Sequence, residues 1–407
     1  VVGIVWVQPP IGTYPCPSFK LLKQADEKAQ ALFDACFRLT DGPSAPDMSI
    51  VELDKELILS LTGTKEIEMY HEVDSRITAL GTADTFFDYQ GYQIYQLVDG
   101  NVSAQDYDDP AKSRLIFQCD VKDDISKIVN IVYDPTLDVG NPDNANVPTL
   151  QVDGQNQGIQ HTFQILNDAF ATGDKRLINH KTYYFSIISY AHNYYEVADT
   201  VFDDQGNVVN ISTKEQLQPY LAGRKNIKIY SGIPHITTPE GSGLSLNASY
   251  GDGPEMVRQE GTGNGIFITD LTEESMMEIL NSPTNQTYHQ VYKGGAGPVA
   301  VKVYNPKVVP SADFELKLID TAGTTGILNG TSTKWILTNL TTGEVVNSDF
   351  TIDAENEQLI ADWGLSVFVR TARNPGGPVD VQLANNNGLL SSSIVYEDPQ
   401  ATWLGGV

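Results

Sequence analysis

Apolar and polar residues alternate with a period of two over long parts of this chain, which is the pattern of β-strands. The clearest case is YYFSIISY at 183–190, where Tyr183, Phe185 and Ile187 would share one face of a strand. The opposite face also carries large aromatic residues, which predicts a strand at the centre of a sheet. A tyrosine at its start, directly after LINHKT, stands where the hydroxyl of a tyrosine corner would bond to the backbone upstream.

Shorter alternating runs, separated by turn residues, predict further strands along the chain. In FFDYQGYQIYQL, which begins at Phe86, Gln93 and Tyr95 would lie on the face opposite to Tyr92 and Ile94. Similar runs are SRLIFQCDV, ISKIVNIVYD, IQHTFQIL, GPVAVKVYNP, DFELKLID, TKWILTNL, LSVFVRTA and SSSIVYED. Many short strands with turns between them predict β-sandwiches rather than alternating β–α units.

Three segments have a helical character instead. In residues 18–39, apolar side chains recur at intervals of three and four and predict an amphipathic helix. After a break at DGPSAPD, Ser49 and Glu52 fit a capping box, which predicts a second helix over SIVELDKELILSL and hence a helical hairpin over residues 18 to about 62. DLTEESMMEIL, with acidic residues in its first turn, predicts a further short helix.

Two of the aromatic runs carry a family resemblance. YQGYQIYQL and HKTYYFSIISYA resemble strands C and F of a fibronectin type III domain, in the form found in large secreted proteins of Bacteroidota. The order of YSGIPH, GDGPE, GPVAVKVYNP and WGLSVFV is similar to that of type IX secretion cargo proteins. The resemblance implies that residues 1–10 are strand B, because GIVWVQPP supplies the Trp followed by Pro with which such a strand ends, here Trp6, Pro9 and Pro10. It also implies that the helical hairpin is an insertion before strand C.

The expected fold class is mainly β, with tandem β-sandwiches of fibronectin type III-like or immunoglobulin-like type and a helical hairpin insertion. The first domain would be a fibronectin type III-like sandwich over residues 1–200, with its helical insertion at about 18–80. Residues 201–310 are expected to form an irregular, Gly- and Asn-rich α+β connector. Residues 311–407 are expected to form a second β-sandwich-like domain.

The net charge limits the classes of partner that we expect, and the cysteine count limits the possible disulfides. The 407 residues carry 52 acidic and 26 basic side chains, a net charge of −26 and a pI near 4.4. A field of that sign repels phosphate backbones and anionic lipids, so nucleic acids and membrane surfaces are not expected as partners. The sequence has no run of 18 apolar residues, so membrane insertion is not expected either. Of the three cysteines, Cys16 and Cys36 would form a bridge or, with Cys119, remain buried thiols.

The sequence contains no recognisable catalytic motif. Its six histidines lack a zinc-binding spacing, and neither a nucleophile elbow nor a Cys–His signature occurs. The Gly-rich runs EGTGNG and KGGAGP lack the strand–turn–helix frame of a phosphate loop. We therefore expect no enzymatic activity and no catalytic or cofactor-binding residue.

Acidic loops are the candidate metal sites, because calcium is bound by many oxygen ligands from carboxylates, amides and carbonyls. Solvated turns are the alternative explanation of the same composition. QDYDDP and DPTLDVGNPDNAN supply the candidate calcium ligands Asp106, Asp108, Asp109, Asp138 and Asp143. The resemblance to Bacteroidota proteins also implies glycosylation at Thr200 and Thr321, each of which follows Asp and precedes a small apolar residue.

The sequence predicts a non-catalytic structural or interaction module of a larger secreted protein, located outside the cell or on its surface, with protein partners or self-assembly. One alternative is an accessory segment of a secreted hydrolase, acting as a spacer or in substrate binding. The other is a carbohydrate-binding adhesin that uses aromatics such as Trp335, Trp363 or Trp403, although the alternation around Trp335 favours a core position for that residue.

Overall fold

The computed structural model describes residues 40–74, 86–123, 125–133, 146–193, 199–202, 208–212, 218–237, 246–261, 270–284, 286–287, 289–322 and 328–371. The chain divides into two compact units, Val1–Ser245 and Leu246–Val407, and their sheets are antiparallel. The protein is therefore mainly β, as the alternation predicted. Residues 1–10, the predicted helix at 18–39 and SSSIVYED lie outside the described residues, and the domain limits near 200 and 310 stay predictions.

The described part of the first unit, hereafter unit 1, is built from thirteen strands. In chain order they are β1 (Asp47–Leu53), β2 (Glu56–Thr62), β3 (His71–Val73), β4 (Phe86–Leu97), β5 (Ser113–Asp120), β6 (Lys127–Tyr133), β7 (Asn146–Asp153), β8 (Thr162–Ile165), β9 (Tyr183–Asn193), β10 (Asp199–Phe202), β11 (Val208–Ser212), β12 (Tyr220–Ala222) and β13 (Ile229–Gly232). A short helix, α1 (Thr64–Glu68), follows β2.

The largest sheet has six strands, with β4 and β9 at its centre. These two strands are antiparallel, and β3 and β5 continue the sheet beside β4 while β12 and β13 continue it beside β9. The predicted central position of β9 is confirmed. The predicted bond at its start is present too, because the Tyr183 hydroxyl accepts a hydrogen bond from the N–H of Ile178 at 2.9 Å.

A second sheet has three strands in the order β1–β2–β8. Its presence shows that the second helix of the predicted hairpin is wrong, because SIVELDKELILSL forms the antiparallel pair β1 and β2. Ser49 and Glu52 do not cap a helix here but lie opposite Ser60 and Leu57, respectively, across this β-hairpin.

The turn between β1 and β2 explains why the helical prediction failed. The strands are joined by Asp54 and Lys55, and Lys55 has a left-handed φ of 56°. Such a turn usually contains Gly or Asn, so the sequence Asp-Lys gives no signal for it. With the reversal in place, the alternate residues Leu57, Leu59 and Leu61 of β2 enter the core together, as a period of two requires.

Both sheets of unit 1 contribute to one hydrophobic core. The three-stranded sheet supplies Leu57, Leu59 and Phe163, and the six-stranded sheet supplies Ile94 and Phe185, among others. Each buried aliphatic or aromatic side chain of this kind stabilises the fold by about 1.5–3 kcal/mol. The shared core holds the two sheets against each other. We call the face of the six-stranded sheet that points away from this core the outer face.

A β-hairpin of β6 and β7 covers one end of the outer face. Its residues Ile128 and Val152 are buried against Tyr190 of β9 in a small separate cluster. The amide of Gln93 on β4 donates to the backbone oxygen of Gln151 on β7 at 3.2 Å. The rest of the outer face is the setting of the candidate site.

The described part of the second unit, hereafter unit 2, contains three small sheets. Their strands are β14 (Met256–Val257), β15 (Val291–Tyr292), β16 (Val299–Val303), β17 (Phe314–Asp320), β18 (Thr333–Asn339), β19 (Val345–Asn347), β20 (Gln358–Ile360) and β21 (Leu365–Val369). Two of the sheets, β16–β21–β20 and β17–β18–β19, share a core that includes Val301, Trp335 and Val367, and β14 pairs with β15. The predicted core position of Trp335 is confirmed, since only 4 % of it is exposed.

The short helix predicted from DLTEESMMEIL is confirmed as α2 (Glu273–Asn281). The Thr272 side chain caps it by accepting a hydrogen bond from the N–H of Ser275 at 3.4 Å, and Glu273 and Glu274 lie in its positively polarised first turn. Among the residues that the structure describes, no helix combines the length and apolar character needed to cross a membrane.

Candidate binding site

The outer face carries a row of side chains that crosses four strands. Tyr95 on β4 lies opposite Leu115 on β5 and, on its other side, opposite Ser186 on β9. Ser186 in turn lies opposite Ile229 on β13. Directly opposed residues of neighbouring strands present their side chains to the same face. Leu115 is 47 % exposed and Ile229 37 %, so both ends of the row meet solvent.

A loop between β4 and β5 places a second tyrosine over this row. The loop contains a 3₁₀ turn at Ala104–Asp106, and the ring of Tyr107, directly after this turn, stacks on that of Tyr95 with centroids 4.9 Å apart and planes inclined by 29°. The Tyr107 hydroxyl donates to Ser186 Oγ at 2.5 Å, and Ser186 Oγ donates to the backbone oxygen of Lys228 at 2.9 Å. The ring is therefore fixed by stacking at one side and by a hydrogen-bond chain at its tip.

The buried amide of Gln93 joins the tyrosines to three other strands. Its oxygen accepts from the hydroxyls of Tyr95, at 3.2 Å, and Tyr220, at 3.0 Å. Its nitrogen donates to Gln118 Oε1 on β5 at 2.9 Å and to the Gln151 oxygen on β7. All four hydrogen-bonding positions of the amide are used. We call Tyr95, Tyr107 and Tyr220, with the Gln93 that holds two of them, the tyrosine face.

The three tyrosines of this face stay neutral at ordinary pH. Burial raises the pKa of Tyr107, although its bond to Ser186 acts in the other direction. For Tyr95 and Tyr220, burial is the largest cause of a raised pKa, and the negative charge of Asp108 adds to it in both. The tyrosine face is thus a surface of half-buried neutral rings with an exposed carboxylate nearby, suited to binding by contact and hydrogen bonding.

Two of the three predicted calcium ligands next to this face, Asp106 and Asp109, have structural partners. Asp106 closes the 3₁₀ turn by accepting from Ser103, and it pairs with Lys112 at 2.7 Å; the Lys112 bond is the main reason that its pKa falls to about 2. Asp109 accepts from the N–H of Ala111 at 2.9 Å. Asp108 is exposed and does not share these bonds.

The remaining predicted site residues are spread over the chain. Asp138 and Asp143 lie outside the described residues, and in the part that is described no group of three or more His, Cys, Asp or Glu side chains could hold a metal. Thr200 lies in β10, opposite Ile211. Thr321 follows β17, is exposed, and donates from Oγ1 to the Ser332 oxygen at 2.7 Å. Calcium binding and glycosylation stay predictions.

A buried polar group in the core of unit 1 was not anticipated from the sequence. Glu68, at the end of α1, accepts from the Tyr92 hydroxyl at 3.1 Å and contacts His161 Nε2 at 2.5 Å. The side chains of Glu68 and His161 are at most 4 % exposed. The three residues join α1, β4 and the segment before β8, so they fix the helix to both sheets. Their separation along the chain left no local signal to find them by.

Cys119 lies beside this polar group and is a buried thiol, one of the two states that the sequence left open for the cysteines. Burial raises its pKa to about 12, which keeps it protonated and unreactive as a nucleophile at neutral pH. Cys16 and Cys36 lie outside the described residues.

The tryptophans considered for carbohydrate binding are not at the surface where they are described. Trp335 and Trp363 are 4 % and 6 % exposed and belong to the core of unit 2, while Trp403 lies outside the described residues. The aromatic group at the outer face is instead the half-buried tyrosine face. Comparison with known proteins gives no match to this chain among family models, curated proteins or solved structures.

Proposed function

We propose that this chain is a non-catalytic structural and interaction module of a larger protein located outside the cell or on its surface. The observation that carries the proposal is the tyrosine face, a set of half-buried rings on β4, on β12 and on the loop between β4 and β5, which stacking and hydrogen bonds hold in place. Rigid aromatic rings with polar tips are the usual anchors of recognition surfaces, because they supply contact area at little cost in side-chain entropy.

The strand order supports a fibronectin type III-like sandwich for unit 1. In immunoglobulin-like sandwiches the first, second and fifth strands share one sheet, and the third, sixth and seventh share the other. Here β1, β2 and β8 share one sheet, and β4, β9 and β13 share the other, around one core. The proposed strands C and F are then β4 and β9. This assignment makes β2 strand B in place of residues 1–10, and β6 and β7 an insertion.

The proposed location and self-assembly rest on the sequence alone. The resemblance to secreted Bacteroidota proteins of the type IX pathway supports an extracellular location, and the net charge of −26 supports solubility in that setting. Repeated sandwich-like units are suited to spacing or display, and function then depends on the surfaces that they carry. In unit 1 that surface is the tyrosine face.

The proposal is tested by site-specific photocrosslinking on the full chain. A benzophenone amino acid at Leu115, 47 % exposed at the edge of the tyrosine face, is compared with one at Leu280, 71 % exposed on α2 of unit 2. Both proteins are added to the producing cells and their extracellular matrix, and then irradiated. We expect adducts from the Leu115 position that are lost when Tyr107→Ala is added, and few from the Leu280 position.

Equal yields from the two positions, or adducts at Leu115 that survive Tyr107→Ala, would show that the tyrosine face is not the interaction surface. A second variant, Leu115→Asp in a chain labelled at Ile229, guards against misfolding of Tyr107→Ala, because it adds a charge at an exposed position without removing a buried group. It is expected to lower the adduct yield at Ile229 as well.

A further inference from the structure

We propose that the partner of the tyrosine face is a neutral polysaccharide. This inference rests on the proposed function, since it names the chemical class bound by the same surface. It commits to a glycan without acidic groups, and a protein partner is kept as an alternative outcome of the test.

The first argument is the combination of rings and unused acceptor positions. Sugar rings offer C–H faces that pack on aromatic rings, and hydroxyls that form hydrogen bonds, so tyrosine can contact both parts of a sugar. The hydroxyls of Tyr95 and Tyr220 each donate to Gln93, and these bonds leave the lone pairs of the two hydroxyl oxygens unused. The row from Leu115 to Ile229 crosses four strands, about 14 Å, and so forms a strip across the sheet.

The second argument is that the rings are already ordered. Tyr107 is held by its stacking on Tyr95 and by its bond to Ser186, and Tyr220 is held by Gln93. Binding therefore does not have to immobilise flexible side chains. The entropy lost when side chains are ordered is a main cost of binding a weak ligand at a surface.

The third argument is charge. Asp108 is exposed, and its charge acts on both Tyr95 and Tyr220, so a carboxylate stands beside the rings as an acceptor for sugar hydroxyls. The same carboxylate, on a chain of net charge −26, repels uronic acids, sulfated glycans and nucleic acids. Neutral sugars avoid this repulsion. A protein partner of ordinary size would need a broader apolar centre than the two aliphatic side chains Leu115 and Ile229 provide.

The experiment is affinity electrophoresis of the full chain in native gels that contain one soluble polysaccharide each. The neutral probes are galactomannan, hydroxyethyl cellulose, laminarin and soluble starch, and the acidic probes are alginate and polygalacturonate. We expect retardation by at least one neutral probe and by neither acidic probe. Tyr107→Ala should weaken that retardation at least tenfold, and Asp108→Asn should weaken it severalfold.

The matched control is Phe170→Ala, which removes a ring that contacts the Arg114 guanidinium and does not belong to the tyrosine face. It should be retarded like the unmodified chain. Tyr107→Phe keeps the ring and removes only the bond to Ser186, so it separates loss of ring contact from loss of fold and should retain most of the binding.

Absence of retardation in all four neutral gels, or equal loss in Phe170→Ala and Tyr107→Ala, would overturn the inference. The photocrosslinked adducts at Leu115 distinguish this failure from failure of the proposed function. Adducts whose added mass is removed by glycoside hydrolases support the polysaccharide. Adducts that are removed by protease but not by those hydrolases would contradict the polysaccharide and still support the interaction module. If no specific adduct forms, both proposals are contradicted.

Discussion

At the scale of single residues, Gln93 is the side chain on which the tyrosine face depends. It is 3 % exposed and joins β4 to β5, β7 and β12 through three hydrogen bonds, with a fourth to Tyr95 on its own strand. Gln93→Leu keeps most of the side-chain volume but leaves the two tyrosine hydroxyls and the Gln118 oxygen without their partner. Since a buried polar group without a partner costs about 1–3 kcal/mol, we expect the free energy of unfolding of unit 1 to fall by about 2 kcal/mol.

Urea unfolding followed by tyrosine fluorescence measures this loss. Tyr107→Phe is the control, because it removes one hydrogen bond and leaves Ser186 able to donate to Lys228, so its loss should be nearer to 1 kcal/mol. A Gln93→Leu variant as stable as the unmodified chain would mean that water replaces the amide, and that the rings are less firmly held than the hydrogen bonds indicate.

The residues of this site also show what a single sequence can reveal. The alternation in FFDYQGYQIYQL puts Gln93 and Tyr95 on one face correctly, because neighbouring residues of a strand obey a local rule. Tyr107 reaches Ser186 across 79 residues of sequence, and Tyr220 reaches Gln93 across 127. Those contacts depend on how the sheet and the loop fold, so no local pattern could predict them.

At the scale of elements, the β1–β2 hairpin is where prediction and structure disagree. Lys55 adopts a left-handed φ of 56°, which strains any residue with a Cβ. Lys55→Gly should relieve that strain and raise the free energy of unfolding by up to about 0.5 kcal/mol, whereas Lys55→Val, with a β-branched side chain, should lower it by about 1–2 kcal/mol. The N–H of this residue keeps its bond to Asn179 in both variants.

Urea midpoints of the two variants decide between hairpin and helix. In a helix, glycine would destabilise by about 1 kcal/mol relative to a good helix former, the opposite sign to that expected in the turn. A lower midpoint for Lys55→Gly would thus contradict the hairpin. The helical prediction arose because the apolar residues of SIVELDKELILSL fit the helical spacing of three and four as well as the strand spacing of two. Only the chain reversal at Asp54 and Lys55 distinguishes the two structures, and it contains no Gly or Asn that would mark a turn in the sequence.

At the scale of the whole molecule, the excess of acidic residues sets how stability responds to salt. Exposed pairs such as Lys112–Asp106 and Arg176–Asp174 are weakened by screening, but such pairs contribute little in water. The repulsion among 52 acidic side chains, opposed by only 26 basic ones, is also screened, and it acts across the entire surface. We therefore expect repulsion to dominate, so that salt stabilises the protein.

Raising NaCl from about 20 mM to about 500 mM shortens the screening length from roughly 20 Å to roughly 4 Å, and should raise the urea midpoint of the first unfolding transition. KCl should have the same effect, since screening does not depend on which monovalent cation is used. A midpoint that falls with both salts would show that attractive pairs outweigh the net charge.

CaCl₂ at matched ionic strength adds a test of the acidic loops: extra stabilisation that Asp108→Asn reduces would support calcium binding there, and none is expected from screening alone.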